Sequence, residues 1–214
     1  MKYTDFKNAV RRFPVFSSSQ SGGMRNGKGK VLPVQLTQWC KQGFLIRLRK
    51  NLYILNENDR AVTPSRAFLG NQLYSPSYIS LEYALSFYGL IPERVADVTC
   101  VTTKKTQTFS NAFGTFRYQH IKQECFFGFT SQRDENNLPF FLATKEKALL
   151  DFLYLNINSL DPSDEDYFRG SLRLQNLEGL KSRKLTQMAG TFKNKKLKKI
   201  TRNLCLFAAK EGAP

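Results

Sequence analysis

Apolar positions along the first 43 residues predict three helices. Phe6, Val10 and Phe13 recur at helical spacing behind Thr4, a suitable N-cap, and Pro14 ends this segment. A short second helix is expected to open at Ser17. The third begins near Pro33, buries Leu36, Trp39 and Cys40 on one face, and ends at Gly43.

A β-hairpin is predicted directly after the third helix. In the run LIRLR, Ile46 and Leu48 alternate with Arg47 and Arg49, as in a strand with one buried face. Lys50 and Asn51 suit a two-residue turn because Asn tolerates positive φ, and LYIL returns. Three helices followed by a hairpin is the order of a winged helix-turn-helix, predicted here over residues 1–58.

The rest of the chain predicts a mixed α+β domain over residues 65–214. Helical patterns cover 65–73, a segment capped by Ser80, and 145–157. Runs rich in β-branched and aromatic residues at 97–103, 106–121, 125–131 and 139–144 predict a small antiparallel sheet. Two basic helices are expected at the C-terminal end, the last with Leu197, Ile200, Leu204 and Phe207 on its apolar face.

Charge is concentrated at the two ends of the chain. The 214 residues carry a formal net charge of +16. Residues 1–60 hold twelve Lys and Arg against three Asp and Glu, and residues 181–214 hold ten against one, so each end carries +9 while the middle carries −2. Such a balance favours a polyanionic partner bound by the ends, such as nucleic acid.

The third helix and the hairpin are the predicted contact region for double-stranded DNA. In a winged helix-turn-helix the third helix enters the major groove, where Gln side chains hydrogen-bond adenine, and basic hairpin residues neutralise phosphates. The alternative is that these polar residues only solvate a packed helix. The candidates on the preceding basic loop, the helix and the hairpin are Arg25, Lys28, Lys30, Gln35, Thr37, Gln38, Lys41, Arg47, Arg49 and Lys50.

Lysines of the last helix are a second set of candidates. Two interpretations stay open: a solvated helix face, or a second contact with phosphate, since no acid stands between Lys181 and Lys210. The four candidates are Lys195, Lys196, Lys198 and Lys199.

No motif predicts catalysis, a metal or a cofactor. Residues 22–29, GGMRNGKG, resemble a phosphate-binding loop but end in Gly29 where Ser or Thr would hold Mg²⁺. His120 is the one histidine, the acids of residues 161–166 lack calcium-loop spacing, and the four cysteines form no CxxC pair. No run is long enough to span a membrane, and the first residues lack a signal peptide, so a cytoplasmic protein is expected.

Several segments together resemble the AbiEi-type antitoxins of type IV toxin–antitoxin systems. They are QLTQWCKQGFLIRLRKNLYIL, SPSYISLEYALSFYGLIPE, VTCVTTKKTQTFSNAFGTFRYQHI, FFGF and ATKEKALLDFLY, spanning about residues 3–155. The resemblance implies a winged-helix DNA-binding domain joined to an α+β antitoxin domain. It further implies repression of the protein's own promoter and action against a nucleotidyltransferase-like toxin, without the need for a stable complex.

Two other functions remain open on the sequence. One is a stand-alone winged-helix transcription factor or RNA-binding module with no toxin partner. The other is an enzyme acting on nucleic acid through an unrecognised site.

Overall fold

A computed structural model of the chain describes residues 1–23, 33–161 and 166–211. In the first 60 residues, helices alternate with short strands that form a three-stranded antiparallel sheet of order β1-β3-β2. The elements are α1 (Tyr3–Val10), β1 (Phe16–Ser17), α2 (Ser18–Gly23), α3 (Pro33–Lys41), β2 (Leu45–Arg49) and β3 (Leu52–Leu55).

The turns of this part form where the sequence predicts them. Gly43 takes a φ of 77° just after α3, and Asn51 takes a φ of 64° in the turn between β2 and β3. Strand β1 was not predicted, because two residues are too short to carry an alternating pattern. Its Phe16 lies opposite Tyr53 of β3.

Aromatic side chains make up most of the core beneath α3. Phe6 of α1 stacks on Trp39 of α3 with ring centroids 4.8 Å apart, and Tyr3 stacks on Phe44 at 4.4 Å. The buried members of this core are Phe6, Val10, Phe16, Leu36, Trp39, Leu45, Tyr53 and Leu55. Packing these rings together between α1, α3 and the small sheet stabilises the orientation of α3 relative to the hairpin.

A six-stranded sheet of order β6-β7-β5-β4-β9-β8 forms the centre of the remaining chain. Helix α4 packs on β4, β5 and β9, and α6 and α7 contact each other. The elements are α4 (Arg66–Leu73), β4 (Ser77–Ile79), α5 (Leu81–Phe87), β5 (Val98–Thr102), β6 (Gln107–Asn111), β7 (Gly114–His120), β8 (Phe129–Arg133), β9 (Pro139–Ala143), α6 (Lys145–Leu155), α7 (Ser182–Thr191) and α8 (Lys195–Glu211).

The chain is therefore a mixed α+β protein with C-terminal helices, as the sequence predicts. Antiparallel pairing joins β4 to β5, β6 to β7 and β8 to β9. The predicted antiparallel pairing is confirmed for these three pairs, but the sheet as a whole is mixed, because β4 pairs with β9 and β5 with β7 in parallel. Both parallel pairs join strands that are not neighbours in sequence, so no local pattern marks them.

Helix starts and faces follow the sequence only in part. The prediction of Thr4 as the first N-cap was wrong, because Lys2 is the N-cap of α1 and Thr4 lies inside the helix, and Phe13 is exposed beyond its end. The α8 stripe of Leu197, Ile200, Leu204 and Phe207 is buried as predicted. Ser80 stands at the N-cap of α5, but its side chain does not cap the helix. Its hydroxyl instead donates to Asp151 of α6 at 2.8 Å. No helix in the described part of the chain is long and apolar enough to cross a membrane.

Candidate nucleic-acid interface

One face of α3 is exposed along its whole length. Leu36 and Trp39 are buried on the opposite face. Positions 34, 37, 38 and 41 follow the three- and four-residue spacing that brings side chains together on a helix. The exposed residues are Val34, Thr37, Gln38 and Lys41. The face therefore combines an amide, a cation, a hydroxyl and an apolar group.

Val34 is the part of this face that the prediction omitted. Its side chain is 72% exposed, more than that of the other exposed large hydrophobic residues in the described part of the chain. The signal was present in the sequence, because Val34 stands three residues before Thr37 and four before Gln38. It was missed because only polar residues were considered. An exposed apolar group on such a helix can contact the methyl group of thymine.

Gln35 lies at the edge of this face rather than in its centre. It is half-buried, and its Nε2 donates to the Met1 carbonyl oxygen at 3.1 Å. Thr37 donates its hydroxyl to the Pro33 carbonyl oxygen at 3.0 Å. Of the two glutamines predicted to read bases, Gln38 is the exposed one.

The hairpin separates two arginines that the sequence pattern had placed on one face. A β-bulge at Leu48 sets Arg47 opposite Tyr53 and Arg49 opposite Leu52. Arg47 and Lys50 are exposed, whereas Arg49 is half-buried and its Nη1 donates to the Lys50 carbonyl oxygen at 3.1 Å. The alternation of LIRLR was interrupted by the extra bulge residue, which turns Arg49 toward the protein.

The back of the hairpin packs on the larger part of the protein. Leu48, Leu52 and Ile54 belong to the core that surrounds the six-stranded sheet. Asn111 of β6 donates its Nδ2 to the Leu48 carbonyl oxygen at 3.1 Å. These contacts hold the hairpin between two cores and so restrict where Arg47 and Lys50 can point.

Helix α1 is tied to the segment after β3 by a shared carboxylate. Tyr3 donates to Asp59 Oδ2 at 2.6 Å, and Lys7 Nζ lies 2.9 Å from Asp59 Oδ1. The hydrogen bond from Tyr3 lowers the pKa of Asp59, and the charge of Lys7 acts in the same direction. Burial, together with the carboxylate of Asp59, raises the pKa of Tyr3. These bonds stabilise the position of α1, the helix against which α3 packs.

The C-terminal candidates lie on the surface of α8. Lys195, Lys198 and Lys199 are exposed, and Lys196 is half-buried. Within the described residues, none of the four forms a salt bridge. Lys184 of α7, in contrast, pairs with Glu146 at 2.9 Å. The predicted residues Arg25, Lys28 and Lys30 lie outside the described residues.

A buried ionic cluster lies away from both basic surfaces. Lys147 and Asp151 of α6 form a salt bridge with both side chains 0% exposed. Asp151 also accepts from the Tyr78 hydroxyl at 2.9 Å, and the ring of Phe192 lies 4.8 Å from Lys147 Nζ. Burial raises the pKa of Asp151 and lowers that of Lys147. With no exposed atom to meet a substrate, the cluster joins β4, α6 and the C-terminal helices.

Sequence reasoning did not find this cluster, although the i,i+4 spacing of Lys147 and Asp151 was visible.

His120, the one histidine, is exposed at the end of β7 with Nδ1 3.0 Å from the Lys104 carbonyl oxygen. Cys100 and Cys125 are buried, and Cys40 and Cys205 are half-buried.

Comparison with known proteins does not place the chain in a family. No family model matches it, and no curated protein matches it.

Proposed function

We propose that this protein is a sequence-specific DNA-binding repressor of its own promoter and the antitoxin of a toxin–antitoxin pair. In this proposal the first 58 residues act as a winged helix-turn-helix, with α3 as the recognition helix and the β2–β3 hairpin as the wing. The domain after residue 65 carries the antitoxin function. No catalytic step is required of the protein.

The observation that carries the DNA-binding proposal is the exposed face of α3. Gln38 offers the donor and acceptor pair that matches adenine N6 and N7, and Val34 offers an apolar surface for a thymine methyl group. Lys41 lies one turn further along the same face and suits a phosphate. A face that presents an amide and a cation within one helical turn suits contact with both a base edge and a phosphate.

Electrostatics support the same surface. Arg47 and Lys50 lie exposed on the neighbouring hairpin, and no described acidic residue forms a salt bridge with either of them. Cations without acidic partners favour a polyanion, and the packed back of the hairpin limits their movement. The net charge of +9 over residues 1–60 acts in the same direction.

The antitoxin part of the proposal rests on the resemblance described above. Its most specific segments, residues 77–92 and 143–154, hold β4, α5 and α6, the elements joined through Asp151. In this proposal the antitoxin function lies in those elements.

A two-part experiment tests the proposal. Binding to the 200 or so base pairs upstream of the gene is measured by gel shift against a shuffled duplex of equal composition. Co-expression with any neighbouring nucleotidyltransferase gene tests whether the protein restores growth. Equal affinity for both duplexes would refute the proposed repressor function. Growth arrest that persists with the protein present would refute the proposed antitoxin function. Specific DNA binding with no effect on toxicity would favour a stand-alone transcription factor.

A further inference from the structure

A groove runs between the two C-terminal helices, α7 and α8. Its volume is about 320 Å³, within the range of small-ligand sites. Lys198, Thr201 and Arg202 of α8 line it, together with Ala189 and Gly190 of α7. Lys198, Thr201 and Arg202 follow the three- and four-residue spacing of one helix face, so they lie on the same side of α8.

Thr201 is the residue that singles out this groove. It is 1% exposed, yet its Oγ1 has no hydrogen-bond partner. A buried hydroxyl without a partner is costly, and most native structures avoid it. Thr186, on the opposite wall, already donates to the Ser182 carbonyl oxygen at 2.9 Å. Thr201 therefore leaves an unpaired hydroxyl just beneath the wall of the groove.

The charge of the groove favours an anion. Lys198 and Arg202 are both exposed and form no salt bridge with any acid that the structure describes. Two cations match the charge of a phosphate monoester, which is about −1.5 to −2 near pH 7. An arginine also presents two parallel donors that suit phosphate oxygens.

The floor of the groove leaves room for more than a phosphate. A Cβ built on Gly190 would meet no atom within 4 Å. This half-buried glycine, above the buried Ala189, gives a small apolar surface beside the cations. A sugar or base attached to the phosphate has space there.

We propose that the α7–α8 groove binds a phosphate group carried by a ligand of about nucleotide size. Lys198 and Arg202 neutralise the phosphate, and Thr201 Oγ1 donates a hydrogen bond to it. The attached group lies over Ala189 and Gly190. The site does not depend on the proposed repressor or antitoxin function.

The test is a titration of the full-length protein, followed through the amide resonances of Gly190, Thr201 and Cys205. The probes are inorganic phosphate, AMP, adenosine and a 20-base-pair duplex of random sequence. Phosphate and AMP should shift these resonances and adenosine should not. If only the duplex shifts them, the phosphate is one of a nucleic-acid backbone, and the site stands with that source. If no phosphate-bearing probe shifts them, or adenosine equals AMP, the proposal is overturned.

Variants separate a built site from a general effect of charge. Thr201→Val removes the hydroxyl while keeping the shape, and AMP should bind about 10-fold more weakly or worse. Its melting temperature should stay equal or rise, because an unpaired buried hydroxyl has been removed. Gly190→Leu should block the groove.

Lys198→Gln with Arg202→Gln should abolish AMP binding. Lys195→Gln with Lys199→Gln is the matched control, since it removes two exposed charges from the same helix but outside the groove. The site is refuted if the two double variants weaken AMP binding equally. It is also refuted if the Thr201→Val and Gly190→Leu variants bind AMP as well as the wild type.

Discussion

Arg47 and Arg49 should behave differently when each is replaced by alanine. Arg47 is exposed beside α3, whereas Arg49 is half-buried and donates to the Lys50 carbonyl oxygen. Arg49 also lies close enough to Tyr118 for its charge to oppose part of the rise that burial causes in the pKa of that hydroxyl. We expect Arg47→Ala to weaken DNA binding at unchanged stability and Arg49→Ala to reduce stability.

The size of the effect follows from the exposed cations. Each phosphate contact contributes about 0.9 to the slope of log K against log salt. Lys41, Arg47 and Lys50 together then give a slope of about −2.7, or ~40-fold weaker binding at 200 mM than at 50 mM salt. Losing Arg47 should reduce the slope to about −1.8 and that ratio to ~12-fold. Any contact made by the basic residues Arg25, Lys28 and Lys30 adds equally to both proteins, so the difference is the quantity to compare.

Fluorescence anisotropy with a labelled promoter duplex and a random duplex, at four or more salt concentrations, measures this slope. The Arg47→Ala variant should lose affinity for both duplexes alike. For Arg49→Ala we expect a nearly unchanged slope and a loss of roughly 1–2 kcal/mol in urea unfolding, from the lost hydrogen bond and side-chain packing. A slope that changes for Arg49→Ala but not for Arg47→Ala would refute the assignment of the two side chains.

Three further predictions concern stability, each measured by urea unfolding. Gly128→Ala should cost clearly more than Gly43→Ala, although both glycines have a φ of 77°. The new Cβ at position 128 would lie 3.1 and 3.2 Å from Cγ and Cβ of the buried Lys147, besides 2.5 Å from the flexible end of Met188. Nothing lies within 4 Å at position 43, where the cost should be only about 1 kcal/mol; equal costs would refute this. Asp151→Ala should reduce the free energy of unfolding by about 3–5 kcal/mol, because it leaves Lys147 buried without a partner. The double variant Asp151→Ala with Lys147→Met should recover most of this loss. No recovery would contradict the explanation. Asp59→Asn should lower stability at pH 7. The deficit should shrink as pH falls below 3.8, because the pKa of Asp59 is lowered in the folded protein and only the charged carboxylate stabilises the fold. A deficit that stays constant with pH would contradict this explanation.

Much of the helical structure could be predicted from local patterns. The buried face of α3 and the stripe of α8 follow directly from apolar spacing, and Gly43 and Asn51 mark real turns because their positive φ is a local property. Strand pairing was harder. The parallel pairs β5–β7 and β4–β9 depend on contacts between distant segments, which an alternating pattern does not encode.

The candidate interface was predicted in outline and wrong in detail for a similar reason. Lys41, Gln38 and Arg47 are exposed where the pattern placed them. The bulge at Leu48 shifts Arg49 toward the protein, and the Gln35 side-chain amide donates a hydrogen bond to the Met1 carbonyl oxygen. Both deviations arise from tertiary contacts, which sequence spacing does not reveal.

The most direct test of the central claim, that the exposed face of α3 reads DNA sequence, is the specificity of a Gln38→Ala variant. Its affinity for the promoter site and for a random duplex is compared with that of the wild type at one salt concentration. Gln72→Ala, an exposed glutamine of α4, is the control. Losing the amide should cost about 1–3 kcal/mol on the promoter site, clearly less on random DNA, and nothing in the control. An equal loss on both duplexes, or none, would contradict the claim.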